Sequence, residues 1–327
     1  MKPILEGKQV EVEFTSLETT TTAVRGVDFT LYPGQIVGIV GESGCGKSAL
    51  LKAITQLNPP HMTRTSGQIF YRGEDLLAYS HKQMRQVRGR HIGMIFQDPM
   101  TSLNPTMTIG NQIMEGYLQH FPRATRKEAK ERAFDILKAV DIHEPQELLT
   151  RYPYTLSGGM RQRAMIAIAL ACEPALLLAD EPTTALDVTV QAQILALLRH
   201  IRNRSQTTIL LVTHDMGVVA SLCDQVFVMY AGKIVESAPV DELFSSPQHP
   251  YTQKLLQAIP TIDALKEIPL LSIEGSPPTL THSILGCAFC KRCPSAMRIC
   301  AETQPPSFQK GIDHLCACFL HDPRRSL

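Results

Sequence analysis

Several features that assign a protein to a broad class are missing from this sequence. Its 327 residues include 32 basic and 31 acidic ones, so it lacks the charge excess that binds nucleic acid or an anionic membrane. The longest apolar run, residues 164–172, is far shorter than the ~20 residues that span a bilayer. The first residues, MKPILEGKQVEVEF, lack the apolar stretch of a secretory signal. We therefore expect a protein that is soluble, or that is held at a membrane only by protein partners.

The order of the apolar segments predicts an α/β fold. Continuous apolar runs at 36–40, 175–179 and 209–212 are typical of strands covered on both faces of a mostly parallel sheet. Polar residues follow these runs, at the strand ends where open α/β sheets bind ligands. Residues 226–235, with Ala-Gly near the middle, predict a hairpin with a tight turn. The length and the lack of an internal repeat predict one large domain with an appendage.

Residues from about 98 to 172 are expected to be mainly helical. One helix is indicated by apolar residues at helical spacing, at Met165, Ile168, Ala169 and Cys172. Pro174 would end that helix. From about residue 259 a linker is predicted by a series of prolines, namely Pro260, Pro269, Pro277 and Pro278.

Residues 41–48 match the phosphate-binding pattern GxxxxGK[ST] and lie between a predicted strand and a predicted helix, which is the context such a loop requires. Glycines let backbone N–H groups surround the phosphates, and the helix N-terminus adds a positive dipole. Lys47 is expected to reach the β- and γ-phosphates, and Ser48 to ligate Mg²⁺. The predicted nucleotide-binding residues of this loop are Gly41, Glu42, Ser43, Gly44, Cys45, Gly46, Lys47, Ser48 and Ala49.

Asp180 and Glu181 end one of the apolar runs. Carboxylates at the end of a buried strand are costly unless they meet a cation. We expect Asp180 to hold Mg²⁺ through water and Glu181 to act as the general base for the attacking water. A helix cap is the alternative, which Pro182 and the upstream phosphate loop disfavour.

A second phosphate-binding element is predicted at Ser157, Gly158 and Gly159, where the helix that reaches Cys172 begins. A hydroxyl, free N–H groups and a helix dipole suit a phosphate. Two helix N-termini of one compact domain do not easily hold the same nucleotide, so we expect this element to close over the ATP of another subunit. An ordinary helix cap accounts for the tripeptide, but not for the whole of LSGGMRQR at 156–163.

Together these motifs resemble those of the nucleotide-binding subunits of ATP-binding cassette (ABC) transporters. The resemblance implies ATP and Mg²⁺ as ligands, and a P-loop NTPase fold with a mixed β-core and a helical subdomain. It implies that Gln97 senses Mg²⁺, takes part in catalysis and contacts a transmembrane partner. It implies that His214 contacts the γ-phosphate and that Phe14 stacks on adenine. The segment Ala185–Asp187 matches the D-loop of the family, which places Asp187 at the interface of a dimer.

Three further segments narrow the resemblance to the ATPases of peptide and nickel importers, and most closely to the dipeptide type. They are residues 97–105, residues 248–256, and the Pro-rich stretch that leads into residues 286–294. The implied domains are an ATPase domain at 1–258, with its helical subdomain at about 98–172, and a small cysteine-rich C-terminal extension at 259–327. The implied reaction is hydrolysis of ATP to ADP and phosphate, coupled to import of dipeptides or oligopeptides.

The resemblance also implies partners and a location. The ATPase is expected to pair with a second ABC ATPase subunit around two ATP molecules. In the family this second subunit is usually a related, non-identical chain. Two transmembrane permease subunits and a periplasmic or extracellular solute-binding protein complete the transporter, and no nucleic acid is involved. The chain would then lie peripherally on the cytoplasmic face of the inner or plasma membrane.

Six of the nine cysteines lie between residues 287 and 318, a crowding that favours metal binding over disulfides in a cytosolic protein. An iron–sulfur cluster, zinc and no ligand at all are the three interpretations. The resemblance maps the family's four cysteines onto Cys287, Cys293, Cys300 and Cys318, where some relatives hold a [4Fe–4S] cluster. Cys290 and Cys316 are additional thiols, and the expected role of the site is structural.

Cys45 stands in the phosphate loop where relatives usually have a hydroxyl residue or glycine. A thiol at a helix N-terminus beside Lys47 is expected to have a lowered pKa, to react readily with alkylating reagents and to be protected by ATP. The alternative is a passive small residue.

Three alternatives to ATP-driven peptide import remain. Nickel or another small solute is the nearer one, because the binding protein and membrane subunits select the cargo. A soluble ABC ATPase acting on DNA or ribosomes is more distant, since no heptads separate Ser48 from Ser157 and only one cassette is present. A purely regulatory subunit is disfavoured by the intact Lys47, Glu181 and His214.

Overall fold

The computed structural model describes residues 2–16, 18–184, 186–259, 273–281 and 284–326. Ala185 of the predicted D-loop lies outside these residues, as do Pro260 and Pro269 of the predicted linker. The described strands are β1 (Leu5–Thr15), β2 (Thr20–Leu31), β3 (Ile36–Val40), β4 (Thr63–Tyr71), β5 (Glu74–Asp75), β6 (Ile92–Ile95), β7 (Leu176–Asp180), β8 (Thr208–Val212), β9 (Gln225–Tyr230), β10 (Lys233–Pro239), β11 (Phe308–Gln309) and β12 (Leu315–Cys316).

The described helices are α1 (Lys47–Ile54), α2 (His81–Val87), α3 (Pro99–Ser102), α4 (Ile109–His120), α5 (Arg126–Ala139), α6 (Pro145–Leu148), α7 (Gly158–Leu170), α8 (Val188–Ser205), α9 (Met216–Leu222), α10 (Val240–Ser245), α11 (Pro250–Gln257) and α12 (Arg298–Glu302). The chain divides into two compact units. Unit 1 comprises Met1–Ile4, Leu31–Ile36 and Ala78–Leu211. Unit 2 comprises Leu5–Thr30, Val37–Leu77 and Val212–Leu327.

In unit 1 the strands β8, β7 and β6 lie side by side in that order, and β6 pairs in parallel with β7. Every residue of β7 and β8 is buried, as their continuous apolar runs predicted. The chain between β6 and β7 is helical, and α5 starts at a capping box in which Thr125 and Glu128 each bond the other's backbone N–H. Helix α7 starts at Gly158, next to the predicted Ser157, and ends at Leu170, before the predicted Cys172.

Unit 2 contains two arrays of strands. In the first the order is β2-β1-β4-β5, and β1 pairs antiparallel with β4. The sequence prediction missed this array, because its strands mix buried and exposed residues and form no continuous apolar runs. In the second the order is β11-β12-β10-β9-β3, with β3 parallel to β9 and the other neighbours antiparallel.

The predicted hairpin is formed by β9 and β10. Its turn residues Ala231 and Gly232 have φ values of 46° and 80°, as a tight turn between twisted strands requires. On its other side β10 pairs with β12, which places Glu236 opposite Cys316. Residues from near the C-terminus therefore form part of the same array of strands as β3, which leads into the phosphate loop.

Candidate functional site

The phosphate-binding loop of unit 2 connects β3 to α1. Glycine is required at Gly41 and Gly46, because a Cβ on either would lie 2.1 Å from a backbone oxygen of a neighbouring strand. Lys47, the first residue of α1, is only 5% exposed. Its ammonium group donates hydrogen bonds to the backbone oxygens of Gly41 (2.7 Å) and Glu42 (3.0 Å). The local structure is therefore the strand, loop and helix that the motif predicted.

Glu42 is bonded through its backbone and its side chain. Its N–H donates to the hydroxyl of Tyr251 at 3.0 Å. Its carboxylate accepts two hydrogen bonds from Arg292, of 2.7 Å at Oε2 and 2.9 Å at Oε1. Glu42 was predicted only as a member of the loop, and neither Tyr251 nor Arg292 was predicted as a site residue. The available signal was the position of Arg292 among the clustered cysteines.

The environment of the Cys45 thiol differs from the one predicted. Its Sγ lies 3.8 Å from Nζ of Lys47, but the thiol is buried. Burial raises the pKa of Cys45 above its ordinary value, and the opposing effect of the Lys47 charge is smaller. The prediction of a lowered pKa was therefore wrong. Cys45 fits the alternative, a small and passive residue of the loop.

The acidic residues at the end of β7 belong to unit 1. Asp180 is buried, and Glu181 follows it with a left-handed φ of 47°. The Glu181 carboxylate accepts hydrogen bonds at Oε2 from Nε2 of Gln97 (3.2 Å) and from the hydroxyl of Thr184 (2.8 Å). The structure thus joins two residues predicted from separate motifs, Gln97 and Glu181, and adds Thr184. This arrangement orients a carboxylate that can accept a proton from water.

The signature residues of unit 1 form the start of α7. The Ser157 hydroxyl accepts a hydrogen bond of 3.3 Å from the N–H of Met160, and Ser157 and Gly158 are exposed. A Cβ on Gly159 would lie 3.0 Å from a methyl group of Val190. Asp187 in turn caps α8 by accepting a bond of 2.9 Å from Val190 N–H. The N-terminal end of α7 therefore faces solvent, where another molecule can reach it.

Phe14 and His214, the remaining predicted nucleotide contacts, both lie in unit 2. Phe14 is half-buried in β1 opposite Thr63. His214 is exposed just after β8. The residue before it, Thr213, donates its N–H to Ile39 of β3 at 3.1 Å. The proposed contacts of Phe14 with adenine and of His214 with the γ-phosphate stay predictions.

Five thiols line one apolar cavity in unit 2, namely those of Cys287, Cys290, Cys293, Cys300 and Cys318. The cavity measures about 10 Å³, which is room for about one water molecule. Burial raises the pKa of Cys287 to about 11 and also raises that of Cys318. Within the described ranges, no three His, Cys, Asp or Glu side chains are arranged to hold a metal ion.

His249 also lines this cavity. Its Nδ1 accepts the N–H of Tyr251 at 3.0 Å, and burial lowers the His249 pKa to about 3, so the neutral ring carries its proton on Nε2. Nε2 is buried and has no hydrogen-bond partner among the described residues. A buried N–H beside five thiols fits an anionic sulfur group. The side chains that line the cavity are therefore of the type that binds a metal group through thiolates. The cavity is too small for such a group, so these side chains would have to move apart to admit it.

Comparison with known proteins identifies the family. Residues 24–184 match the family described as "ABC transporter", and residues 235–300 match "Oligopeptide/dipeptide transporter, C-terminal region". The probable peptide ABC transporter ATP-binding protein y4tR of Sinorhizobium fredii is 47% identical over 97% of this chain and 94% of its own length. This chain belongs to the ATP-binding subunits of ABC transporters. Its P-loop and signature are therefore those of an ABC ATPase.

Other similar proteins support the assignment of this chain to the ABC ATPases. The dipeptide transport ATP-binding protein DppD of Bacillus subtilis is 46% identical over 99% of this chain and 96% of its own length. The dimeric structure of MJ0796, a bacterial ABC transporter cassette, has 28% identity and a TM-score of 0.65, covering 72% of this chain and 98% of that chain. The fold is thus the ABC cassette fold. No described helix of the ABC ATPase has the length and apolar character to cross a membrane.

Proposed function

We propose that this chain is the ATP-hydrolysing subunit of an importer of dipeptides or oligopeptides. One observation carries the proposal: an oriented Glu181 and a complete phosphate loop occur in one chain with the C-terminal region typical of peptide transporters. Relatives named for dipeptide and oligopeptide transport match over nearly the whole chain, which supports peptides as the cargo.

In the proposed reaction the phosphate loop binds the triphosphate through its N–H groups and Lys47. Ser48, Gln97 and Asp180 are the proposed ligands of Mg²⁺, which when bound offsets the charge on the phosphates. The oxygen of a water molecule attacks the γ-phosphorus, the bond from that phosphorus to the bridging oxygen of ADP breaks, and Glu181 accepts the proton of the water. Gln97 and Thr184 orient Glu181 by their hydrogen bonds.

The proposed unit of function is a pair of ATPase subunits. Ser157 and Gly158, which are exposed, would together with Gly159 bind the ATP held by the partner, as a helix N-terminus with free N–H groups binds phosphate. Asp187 lies at the proposed interface. The dimeric cassette with the same fold supports pairing, and the proposed partner is a related, non-identical ATPase.

The proposed assembly contains two permease subunits and a solute-binding protein, with the ATPase pair peripheral on the cytoplasmic face of the membrane. The domain boundaries proposed for this chain are 1–258 for the ATPase domain, with a helical subdomain at about 98–172, and 259–327 for the extension. Phe14 is the proposed adenine contact and His214 the proposed γ-phosphate contact.

We further propose that Cys287, Cys293, Cys300 and Cys318 hold a [4Fe–4S] cluster that stabilises the C-terminal region, with zinc as the alternative. A sulfur-rich ligand there is supported by the shared cavity and by the buried N–H of His249, which has no partner in the described part of the chain. Iron and acid-labile sulfide, measured after anaerobic purification, test this proposal. Stoichiometric zinc without iron would select the alternative, and the absence of both metals would contradict a metal site.

Purification from membranes and uptake assays test the main proposal. The chain should co-purify with two permeases and a second ATPase, and a deletion strain should lose uptake of labelled peptides. Uptake should return with the wild-type chain and not with Lys47→Ala. If the deletion strain takes up peptides normally but no longer takes up nickel, the cargo is nickel and not peptides.

A further inference from the structure

Arg292 makes an unusually complete set of hydrogen bonds. Its guanidinium donates to the Glu42 carboxylate twice, to the hydroxyl of Tyr230 (3.2 Å), and to the backbone oxygens of Ile273 (3.0 Å) and Glu274 (2.9 Å). These bonds engage all five N–H groups of the fork. Its side chain is 6% exposed. Such a side chain is fixed in position rather than free to sample the surface.

The charge that Arg292 meets lies within the phosphate loop. Glu42 puts a carboxylate into a loop that binds a polyanion, and like charges at short range repel. The bidentate ion pair with Arg292 offsets that charge. The contact with Glu42 also raises the pKa of Arg292, so the guanidinium stays protonated. Arg292 thus removes an electrostatic penalty on phosphate binding and fixes the loop at the same time.

A packed aromatic group lies beside this ion pair. Phe289 is buried and contacts Tyr230 and Tyr251, with ring centroids 5.3 and 5.4 Å apart. The Tyr251 hydroxyl accepts the backbone N–H of Glu42. Phe289 and Arg292 both belong to the segment that carries Cys287, Cys290 and Cys293. The cysteine segment is therefore connected to the phosphate loop in two ways. Arg292 forms an ion pair with Glu42, and Phe289 packs against Tyr251, which bonds the backbone of Glu42.

We propose that Arg292 is a positioning residue of the ATP site, through which the cysteine segment sets the conformation and the charge of the phosphate loop. The inference rests on the proposed ATP binding by this loop. Loss of Arg292 leaves the Glu42 carboxylate unpaired, which weakens ATP binding. Removal of the Glu42 charge in the same molecule then restores most of that affinity.

The test measures binding of a fluorescent ATP analogue to the full-length chain. Arg292→Gln should raise the Kd about tenfold. The double variant Arg292→Gln with Glu42→Gln should bind within about threefold of wild type, because the unpaired carboxylate is gone. Arg292→Lys keeps the positive charge but loses the two-pronged guanidinium, so its Kd should lie between those of wild type and Arg292→Gln. Arg298→Gln is the matched control, since Arg298 lies in the same region but is exposed and forms its ion pair with Glu302, away from the phosphate loop.

Hydrogen exchange gives a second readout that does not depend on ligand. Backbone amides at 41–48 should exchange faster in Arg292→Gln than in wild type, and at the wild-type rate in Arg298→Gln. Equal Kd values for wild type and Arg292→Gln, or additive losses in the double variant, would overturn the inference. Faster exchange throughout unit 2 would also overturn it, since it would indicate unfolding rather than loss of position. If wild type itself fails to bind ATP, the proposed function fails instead.

Discussion

The side-chain amide of Gln97 donates a 3.2 Å hydrogen bond to Oε2 of Glu181, a residue that follows β7 with a left-handed φ. A non-glycine residue in that backbone region is strained by about 1–3 kcal/mol, and such strain clusters at functional sites. The hydroxyl of Thr184 bonds the same oxygen. The carboxylate is therefore aimed by its own backbone and by two donors, as a general base requires.

Replacement of this base should separate binding from turnover. In Glu181→Gln the side chain keeps its size and loses its basic oxygen, so kcat should fall by about 100-fold or more while ATP still binds. ATPase rate and nucleotide affinity, measured on the same preparation, check this. Thr184→Val is the control, because it removes one orienting bond and should lower kcat by about fivefold. Full hydrolysis by Glu181→Gln, after activity of a partner subunit is subtracted, would contradict the role of Glu181.

Two glycines of the phosphate loop should respond differently to alanine. Both have a positive φ, 104° at Gly46 and 78° at Gly44. A Cβ on Gly46 would lie 2.1 Å from a backbone oxygen, whereas on Gly44 it would have no neighbour within 4 Å. Gly44→Ala should therefore cost about 1–2 kcal/mol of backbone strain, and Gly46→Ala should abolish ATP binding. Titration calorimetry with ATP distinguishes them, and equal affinities for the two variants would refute the steric explanation.

Ser157 has a structural role and a proposed role toward a second subunit, and these are separable. Ser157→Ala loses the cap of α7, so the free energy of unfolding should fall by about 1 kcal/mol. Thr125→Ala, which removes the cap of α5, should destabilise the chain by a similar amount. In the assembled pair only Ser157→Ala should lower the ATPase rate. Equal activities of the two variants in the pair would mean that Ser157 acts only as a cap.

Cys45 should react slowly with alkylating reagents at neutral pH. Its raised pKa keeps it in the thiol form, and the thiolate is the nucleophile. The rate of modification should keep rising as pH increases beyond the ordinary thiol pKa of 9.0. Peptide mass spectrometry after timed exposure to iodoacetamide, with glutathione as the reference thiol, measures it. Modification faster than that of glutathione at pH 7 would restore the prediction of a reactive thiol.

Alkaline pH should destabilise the fold through buried thiols. Burial raises the pKa of Cys223 to about 12, whereas an unfolded thiol ionises near the ordinary value of 9.0. The unfolded chain loses this proton first, so the stabilisation is present below pH 9 and is lost as pH rises toward 12. Urea midpoints at pH 8 and pH 10.5 measure the loss. The urea midpoint of Cys223→Ala should fall less between pH 8 and pH 10.5 than that of wild type. An equal fall in the two proteins would exclude a contribution from Cys223.

The sequence predicted those parts of the site whose chemistry lies within one continuous segment. Lys47 at the start of α1 and Ser157 at the start of α7 follow from local patterns of glycine, hydroxyl and helix. The ion pair between Glu42 and Arg292 joins residues that are 250 positions apart, and no local pattern encodes such a contact. Burial misled the prediction for Cys45 in the same way, because neighbouring strands supply the desolvation that a motif does not reveal.

The pairing of β12 with β10 decides how the chain can be shortened. Removal of everything after residue 259 would leave the backbone of Glu236 and Ser237 as an open sheet edge. It would also strip the buried Glu236 of His314, which lies 2.8 Å away. An unpaired edge invites strands from other molecules, so such a fragment should precipitate or self-associate. A trimmed cassette made for crystallisation or screening would lose solubility before it lost any catalytic group.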